Sequence, residues 1–255
     1  MIVFCRVVIP ILCIWCVNLA HAADCTMHIQ TLHQAYELPR LWCFSANDDI
    51  GNKDIQTLMN NATLLSPYDN WPDHPDYEDY RGNVWYGMKM FIRQTGSDYA
   101  VFLPWQSRGT QVYFNGQLIY ETRPFDKNGV SPPIIGKPSL VPVVKSMIRH
   151  GENTLVLRTG YLNNLGGYCY PIFFGGYEAI KQKWSLFIIW NSFLSSIDIF
   201  LFMYFIITFL NRKKEKYYLY FSILALSLGI WTMGYDGIIF LLFDNQIAFI
   251  FATYF

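Results

Sequence analysis

Apolar and polar positions divide the chain into a mixed segment and two long apolar runs. Residues 23–180 combine short apolar runs with charges and turn residues, whereas residues 184–210 and 217–243 are almost entirely apolar. Each apolar run exceeds the roughly 20 residues that a helix needs to cross a bilayer. We therefore predict one soluble domain followed by two transmembrane helices, with residues 211–216 as the loop between them.

Short β-rich runs separated by turns fill much of the soluble segment. The dipeptide Asn115-Gly116 lies between two such runs, where Asn-Gly is a strong signal for a β-hairpin. Regular short strands of this kind predict an all-β, antiparallel sandwich. The candidate strands are residues 84–93, 99–103, 111–114, 117–120, 153–159 and 171–174.

The N-terminus has the pattern of a secretory signal peptide. Arg6 precedes an apolar run over residues 7–17, and Ala20-His21-Ala22 follows as a cleavage site, so we expect residues 1–22 to be removed. The alternative is a first transmembrane helix, which we disfavour because the run is too short to span a bilayer.

The loop between the two predicted spans indicates the orientation of the chain. Its basic residues are Arg212, Lys213, Lys214 and Lys216. The positive-inside rule places this loop in the cytoplasm and residues 23–180 outside, in agreement with a signal peptide. We therefore predict a multi-pass protein of the bacterial inner membrane with its N-terminal domain in the periplasm.

A third apolar run, residues 247–255, begins after a short polar turn. As a helix it would cover roughly 14 Å, which is less than half of the hydrocarbon core. We interpret it as the truncated start of a third transmembrane helix, and the chain as an N-terminal fragment of a longer protein.

Charge and cysteine content narrow the chemistry. A formal net charge of zero gives no reason to expect nucleic acid as a partner, and no Cys/His spacing suggests a metal or another cofactor. Cys25, Cys43 and Cys169 remain after removal of the signal peptide, and export permits a disulfide. Cys25 with Cys43 is the simplest pair, although sequence alone leaves the connectivity open.

Three motifs in the soluble segment resemble a known module. Residues 82–86 (GNVWY), 112–116 (VYFNG) and 151–155 (GENTL) occur in the order seen in the jelly-roll, galactose-binding-like module at the front of family 2 glycosidases. That module also resembles the exported domain of bacterial seven-transmembrane receptors with diverse intracellular signalling modules. The resemblance implies a jelly-roll sandwich that binds a carbohydrate-like ligand.

The membrane half resembles the first two helices of the same receptor family. The segments are residues 202–205 (FMYF), 214–221 (KEKYYLYF) and 234–237 (GYDG). The resemblance covers roughly residues 65–255. It implies the start of a seven-helix bundle and an output domain beyond residue 255, such as a diguanylate cyclase or histidine kinase. We therefore expect no enzymatic activity in this chain.

Aromatic and polar residues near the predicted turns are candidates for ligand binding. Trp71 and Trp105 could stack on the apolar face of a sugar, with Arg108 and Asn115 binding its hydroxyls. The competing interpretation makes such aromatic residues part of the core and Asn115 only a turn residue that tolerates positive φ. We favour the core for Trp85 and Tyr113.

A cluster of acidic residues precedes the first clear strand. It consists of Asp73, His74, Asp76, Glu78 and Asp79. A calcium or catalytic carboxylate site is one interpretation, but the cluster lacks the ligand spacing of an EF-hand. We favour a solvated loop.

Two acidic residues fall within or beside the predicted spans. Asp198 lies inside the first one, where an ionisable group costs about 2.5–3.5 kcal/mol on insertion scales, and Asp236 lies near the outer end of the second. Both are candidates for transmembrane coupling. The alternative for Asp198 is a structural hydrogen bond, with Asn191, Ser195 or a group on another helix.

The function that these features predict is the sensory part of a transmembrane signalling receptor. Its partners would be a carbohydrate or other small ligand outside and the lipid bilayer, with a homodimer left open. One alternative is a membrane-tethered glycan-binding or adhesion module without signalling. An envelope glycoside hydrolase is disfavoured, because the resembling module is not the catalytic barrel of family 2 enzymes.

Overall fold

The protein consists of two β-sheets packed face to face, followed by two long apolar helices. The computed structural model describes residues 25–47, 57–58, 63–69, 71–80, 82–104, 109–122, 138–160, 168 and 170–235. Within these residues, the predicted sandwich and the two predicted apolar helices are both present.

The larger sheet has seven strands among the described residues: β1 (Thr26–Ile29), β3 (Trp42–Ser45), β4 (Thr63–Leu65), β5 (Val84–Ile92), β7 (Thr110–Phe114), β8 (Gln117–Glu121) and β10 (Gly151–Thr159). Their order is β4-β3-β5-β10-β7-β8, with β1 also paired to β5. These pairs are antiparallel except β1 with β5, which is parallel.

The smaller sheet is antiparallel and has the order β2-β11-β6-β9. Its strands are β2 (Ala35–Glu37), β6 (Tyr99–Leu103), β9 (Ser139–Val143) and β11 (Phe173–Gly176). The core lies between the two sheets. At its centre Phe174 stacks on Phe114 of the larger sheet, with ring centroids 6.2 Å apart, and on Tyr99 at 5.4 Å.

A disulfide ties together two short strands that share one edge of β5. The first half of β5 pairs with β3, where Cys43 is opposite Gly87, and the second half pairs with β1, where Thr26 is opposite Lys89. Cys25 directly precedes β1 and is bonded to Cys43, with their Cα atoms 5.7 Å apart. This is the pair that the sequence indicated as the simplest.

The predicted hairpin at Asn115-Gly116 connects β7 and β8. Both residues have positive φ, 50° for Asn115 and 78° for Gly116. This is the combination that a tight hairpin turn requires and that Asn-Gly tolerates.

Strand β11 runs directly into helix α1 (Tyr177–Asn211), and helix α2 (Tyr217–Tyr235) follows after a short loop. Gly175 and Gly176 permit the junction, because a Cβ at either position would lie within 2.3 Å and 2.0 Å of the carbonyl oxygens of Gln34 and Leu32. The helix begins at Tyr177, before the apolar run that starts at residue 184.

The first turns of α1 lie on the outer face of the smaller sheet and run antiparallel to β11. Tyr177 N donates to Asp98 O at the start of β6, while Trp184 Nε1 donates to Pro138 O before β9. Between these points Ile180 packs on Ala100 and Phe102. The helix thus leaves the sandwich at the end where β6 finishes and β9 begins.

We call this end of the sandwich the helix-exit end. It is marked by Leu103 and Ser139, which are paired in the smaller sheet, and by Thr110 and Thr159, which are paired in the larger one. A hydrogen bond of 2.7 Å between Tyr120 and Ser139 joins the two sheets there. The Asn115-Gly116 hairpin lies at the opposite end, which we call the distal end.

Both helices are long and apolar enough to cross a membrane. Their outward side chains are large and apolar, with Ile189 63% and Phe200 69% exposed. Such surfaces are expected to contact lipid rather than water. Membrane association is therefore supported by the length and composition of the two helices.

Candidate functional site

The outer face of the larger sheet carries a polar and aromatic cluster. Side chains alternate between the two faces of a strand. Phe114 points inward, onto Phe174 of the smaller sheet. Gln111 and Tyr113 therefore lie on the outer face, as do the residues paired with them on β10. Arg158 is opposite both Trp85 and Gln111, on the strands that flank β10.

Gln111 is the centre of this cluster. Its Oε1 accepts hydrogen bonds from Arg158 Nη1 at 3.2 Å and from Tyr113 Oη at 3.0 Å, and its Nε2 donates to the carboxylate of Glu121. The Arg158 guanidinium also lies 5.4 Å from the centroid of the Trp85 ring, within the range of a cation–π contact. We call these five residues the Arg158 cluster.

The Arg158 cluster surrounds one buried cation with hydrogen-bonding groups. Arg158 is only 6% exposed, and a buried charge must be paired or hydrogen-bonded to be tolerated. Burial raises the pKa of Tyr113, Glu121 adds to that rise, and Arg158 opposes it. The Tyr113 hydroxyl therefore stays protonated and available as a donor at neutral pH.

Trp85 adds a polar atom that is not used by the described residues. Its Nε1 is buried and has no hydrogen-bond partner within the part of the chain that the structure describes. Indole N–H donors normally find a partner when they are buried. Trp85 is as fully buried as Trp71 and offers no open stacking face. The guanidinium, amide and carboxylate of the cluster are groups that can hydrogen-bond a polar small molecule, and Glu121 is the half-exposed one.

Sequence reasoning did not find the Arg158 cluster. It placed Trp85 and Tyr113 in the core, and both are buried core residues. The strand register puts their side chains on the same face of the larger sheet as Arg158. Two features of the sequence pointed to it. Gln111 and Tyr113 are two residues apart on one strand and so share a face, and Arg158 follows an apolar run.

Trp71 does not offer an open stacking face in this structure. It is fully buried and packs near Phe44, with ring centroids 6.5 Å apart. It belongs to the core on the side of β3, as the competing interpretation of the sequence had it. Trp105 and Arg108, which were also predicted to bind ligand, lie outside the described residues.

The side chain of Asn115 is engaged within the sandwich. Its Nδ2 donates to Met147 O at 2.8 Å and to Asn153 Oδ1 at 3.0 Å, and its Oδ1 accepts from Thr154 N at 2.9 Å. These bonds fasten the hairpin to β10 at the distal end. They give Asn115 a structural role in addition to its place in the turn.

The acidic segment forms two short 3-10 helices, Trp71–Asp73 and Pro75–Tyr77. His74 Nδ1 accepts a hydrogen bond from Asp76 N at 3.4 Å at the start of the second one. Among the described residues, no group of three or more His, Cys, Asp and Glu side chains is placed to hold a metal ion.

Tyrosine and threonine hydroxyls cluster between the sheets at the helix-exit end. Tyr168 donates to Thr110 and Thr110 to Thr159, both at 3.4 Å. Burial raises the pKa of Tyr168, and it raises the pKa of the neighbouring Tyr68 to about 12. The Tyr86 hydroxyl is also buried there and has no hydrogen-bond partner among the described residues.

Asp198 lies on the face of α1 that meets α2. Thr232 Oγ1 is 3.5 Å from Asp198 Oδ2, at the outer limit of a hydrogen bond, and 3.3 Å from Ser195 Oγ. A Cβ at Gly229 would lie 3.2 Å from Asp198 Cβ, so the helices approach closely at this level. The predicted partner Ser195 is thus joined to Asp198 through Thr232.

The helix contact is therefore polar at its centre, and we call Asn191, Ser195, Asp198, Gly229 and Thr232 the polar seam. Asn191 and Ser195 are buried, and Ser195 Oγ donates to Asn191 O at 3.0 Å. Polar contacts of this kind help to associate helices in a membrane. Asp236, the other residue predicted to take part in coupling, lies outside the described residues.

Comparisons with known proteins show similar folds only. No family model matches the chain, and no curated protein matches it. One matching solved structure is a β-glucuronidase from Ruminococcus gnavus in complex with D-glucuronic acid, with a TM-score of 0.44 and 15% identity over 57% of this chain and 30% of that chain.

Two further matches are of the same kind. A β-glucuronidase from an uncultured Clostridium sp. has a TM-score of 0.43 and 17% identity over 55% of this chain and 28% of its own. A GH2 β-galacturonidase from Eisenbergiella tayi bound to glycerol has a TM-score of 0.40 and 14% identity over 56% and 24%. The chain spans less than a third of each, and at these scores we draw no functional argument from them.

Proposed function

We propose that this chain is the sensory part of a bacterial transmembrane receptor. The sandwich binds a carbohydrate or another small polar ligand outside the membrane, and α1 transmits its occupancy to the helix bundle and to an output domain beyond residue 255. The chain itself acts by binding rather than by catalysis.

The observation that supports coupling is the course of α1. Its 35 residues form one helix that begins on the smaller sheet and continues through the apolar span. Phe187 still contacts Phe102 of β6, with ring centroids 5.6 Å apart, and Tyr170 at 5.9 Å. A displacement of the sandwich would therefore move the span with it.

The opposite face of the sandwich supports ligand binding. The helix covers the smaller sheet, whereas the Arg158 cluster occupies the outer face of the larger one. A ligand there would act on β10 and its neighbour β7, and Phe114 of β7 packs on Phe174 of β11, the strand that continues into α1. Coupling also requires that the ligand bind the two receptor states with different affinity.

Ligand binding is tested with the full chain in phosphatidylcholine nanodiscs on a glycan array. We expect binding to a subset of sugars, weakened at least tenfold by Glu121→Gln. The matched control is Glu152→Gln on the exposed end of β10, which should bind as the unaltered chain does. A flat array would contradict a carbohydrate ligand.

Coupling is tested with the best sugar from that array. Spin labels at Ser97→Cys in the sandwich and Ser227→Cys on α2 report the distance between the two parts. We expect saturating sugar to shift the distance distribution. Binding without any shift would contradict the receptor and favour a membrane-tethered glycan-binding module.

A further inference from the structure

The path of α1 along the smaller sheet determines which end of the sandwich is close to the membrane. Along the helix, Tyr177 N is hydrogen-bonded to Asp98 O, Ile180 packs on Ala100, and Trp184 Nε1 is hydrogen-bonded to Pro138 O. The contacts thus move steadily from the distal end to the helix-exit end. A helix that left the sandwich at once would show none of the later contacts.

The bilayer boundary falls close to the last of these contacts. Exposed large apolar side chains begin at Leu186 and continue with Ile189 and Trp190. Residues 188–211 cover roughly 36 Å as a helix, and about 30 Å suffices for the hydrocarbon core. Trp184 precedes this stretch, and tryptophan side chains favour the membrane–water interface.

Trp184 links the level of the membrane–water interface to a defined end of the sandwich. Its Nε1 donates to Pro138 O at 3.3 Å, and Pro138 directly precedes the first residue of β9 at the helix-exit end. A residue at interface depth is therefore hydrogen-bonded to the edge of the sandwich. Lys183 lies beside it with Nζ 3.9 Å from the centroid of the Phe173 ring, so its charge stays near the same level.

We propose that the helix-exit end of the sandwich rests against the headgroups of the lipid bilayer. The lipid surface is then a direct partner of the soluble domain, and the Asn115-Gly116 hairpin points away from it. Because Arg158 directly precedes Thr159 at that end, the Arg158 cluster lies on the membrane-proximal half of the sheet. The proposal depends on α1 being a membrane span and not on the proposed ligand.

The test measures the depth of spin labels relative to the bilayer surface. The full chain carries one nitroxide at a time, in a background where Cys5, Cys13, Cys16 and Cys169 are serine and the Cys25–Cys43 disulfide is kept. Asn47→Cys and Thr122→Cys report the helix-exit end, and Ser97→Cys and Ser146→Cys report the distal end. Two positions at each end protect the result against one variant that fails to fold.

The probe is a nickel-chelating lipid in phosphatidylcholine nanodiscs, which speeds the relaxation of nitroxides near the headgroups. A nine-residue strand spans roughly 30 Å, so the two ends differ by more than the reach of the effect. We expect enhancement at positions 47 and 122 that exceeds the enhancement at positions 97 and 146 at least fivefold. Equal enhancement at both ends, a reversed order, or none at any position would overturn the proposal.

Discussion

The two outer faces of the sandwich differ in the side chains that they carry. The smaller sheet presents Ala100, Phe102 and Phe173, which are covered by α1. The larger sheet carries Arg158, which is hydrogen-bonded to Gln111 and lies against the ring of Trp85. One outer face therefore makes an apolar contact with α1, and the other carries a hydrogen-bonded polar cluster.

Under the proposed function, the polar face would bind the ligand and the apolar face would transmit its occupancy to the helix. The contact of α1 with the smaller sheet is mainly apolar, with hydrogen bonds from Tyr177 N to Asp98 O and from Trp184 Nε1 to Pro138 O. Close-packed side chains of this kind deform little, so they can transmit movement. Hydrogen bonds to charged groups such as the Arg158 guanidinium are worth about 1.5–3 kcal/mol each in net terms, so a group that displaces one of them must replace it.

The largest effect is expected from removing the centre of the apolar face. Phe102 is buried and contacts Phe173 and Phe187, with ring centroids 6.2 and 5.6 Å apart. Phe102→Ala should lower the free energy of unfolding of the sandwich by about 3–5 kcal/mol. Denaturant unfolding followed by near-UV circular dichroism measures this, with exposed Leu118→Ala as a control that should change little. Equal effects of both changes would contradict a buried helix contact.

A somewhat smaller loss in the free energy of unfolding is expected from removing the disulfide beside β5. Cys43→Ser removes the bond between β3 and the start of β1. Loss of a native disulfide typically costs about 2–5 kcal/mol. The same unfolding measurement, with and without reductant on the unaltered chain, should give matching losses. No change on reduction would show that the disulfide contributes nothing to the stability of the sandwich.

The polar face should respond to loss of its central amide. Gln111→Leu leaves Tyr113, Arg158 and Glu121 without the bonds that Gln111 makes. Loss of hydrogen bonds to buried polar groups costs about 1–3 kcal/mol, and we expect a loss of that size. Gln117→Leu on exposed β8 is the matched control and should have little effect. If both variants unfold alike, the Arg158 cluster is not a connected network.

The smallest effect is expected in the polar seam of the helices. Thr232→Val removes the contacts to Ser195 and Asp198 while keeping the shape of the side chain. Such interhelical hydrogen bonds average about 0.6 kcal/mol, so the melting temperature in nanodiscs should fall only slightly. Ser227→Val on the exposed side of α2 should leave it unchanged. A large loss at Thr232 would assign the seam a major structural role.

The parts of the fold that follow local rules were predictable from the sequence. The sandwich, the hairpin at Asn115-Gly116 and two apolar helices follow from strand patterns, a turn dipeptide and hydropathy. The start of α1 could not be predicted from hydropathy, because residues 177–183 are of mixed polarity. These residues are helical because they pack on the smaller sheet. Tertiary contact, rather than hydropathy, sets that boundary.

The candidate site was harder to predict for a similar reason. Trp85 and Tyr113 were predicted to be core residues because they are large, aromatic and within strands. Their burial does not tell which face of the sheet they occupy. Arg158 and Gln111 are far apart in sequence and become neighbours only through the register of β7 with β10. The candidates chosen near turns included Trp71 and Asn115, which the structure engages in internal packing and hydrogen bonds.

The central claim is that α1 is one rigid helix fixed to the smaller sheet, so that the sandwich and the span move together. Hydrogen exchange of the backbone amides of residues 181–189, in nanodiscs, tests this most directly, because these residues join the packed turns to the apolar span. We predict protection comparable to that of β6 and β11. Rapid exchange within residues 181–189 would reveal a break between sandwich and membrane, and would contradict the account.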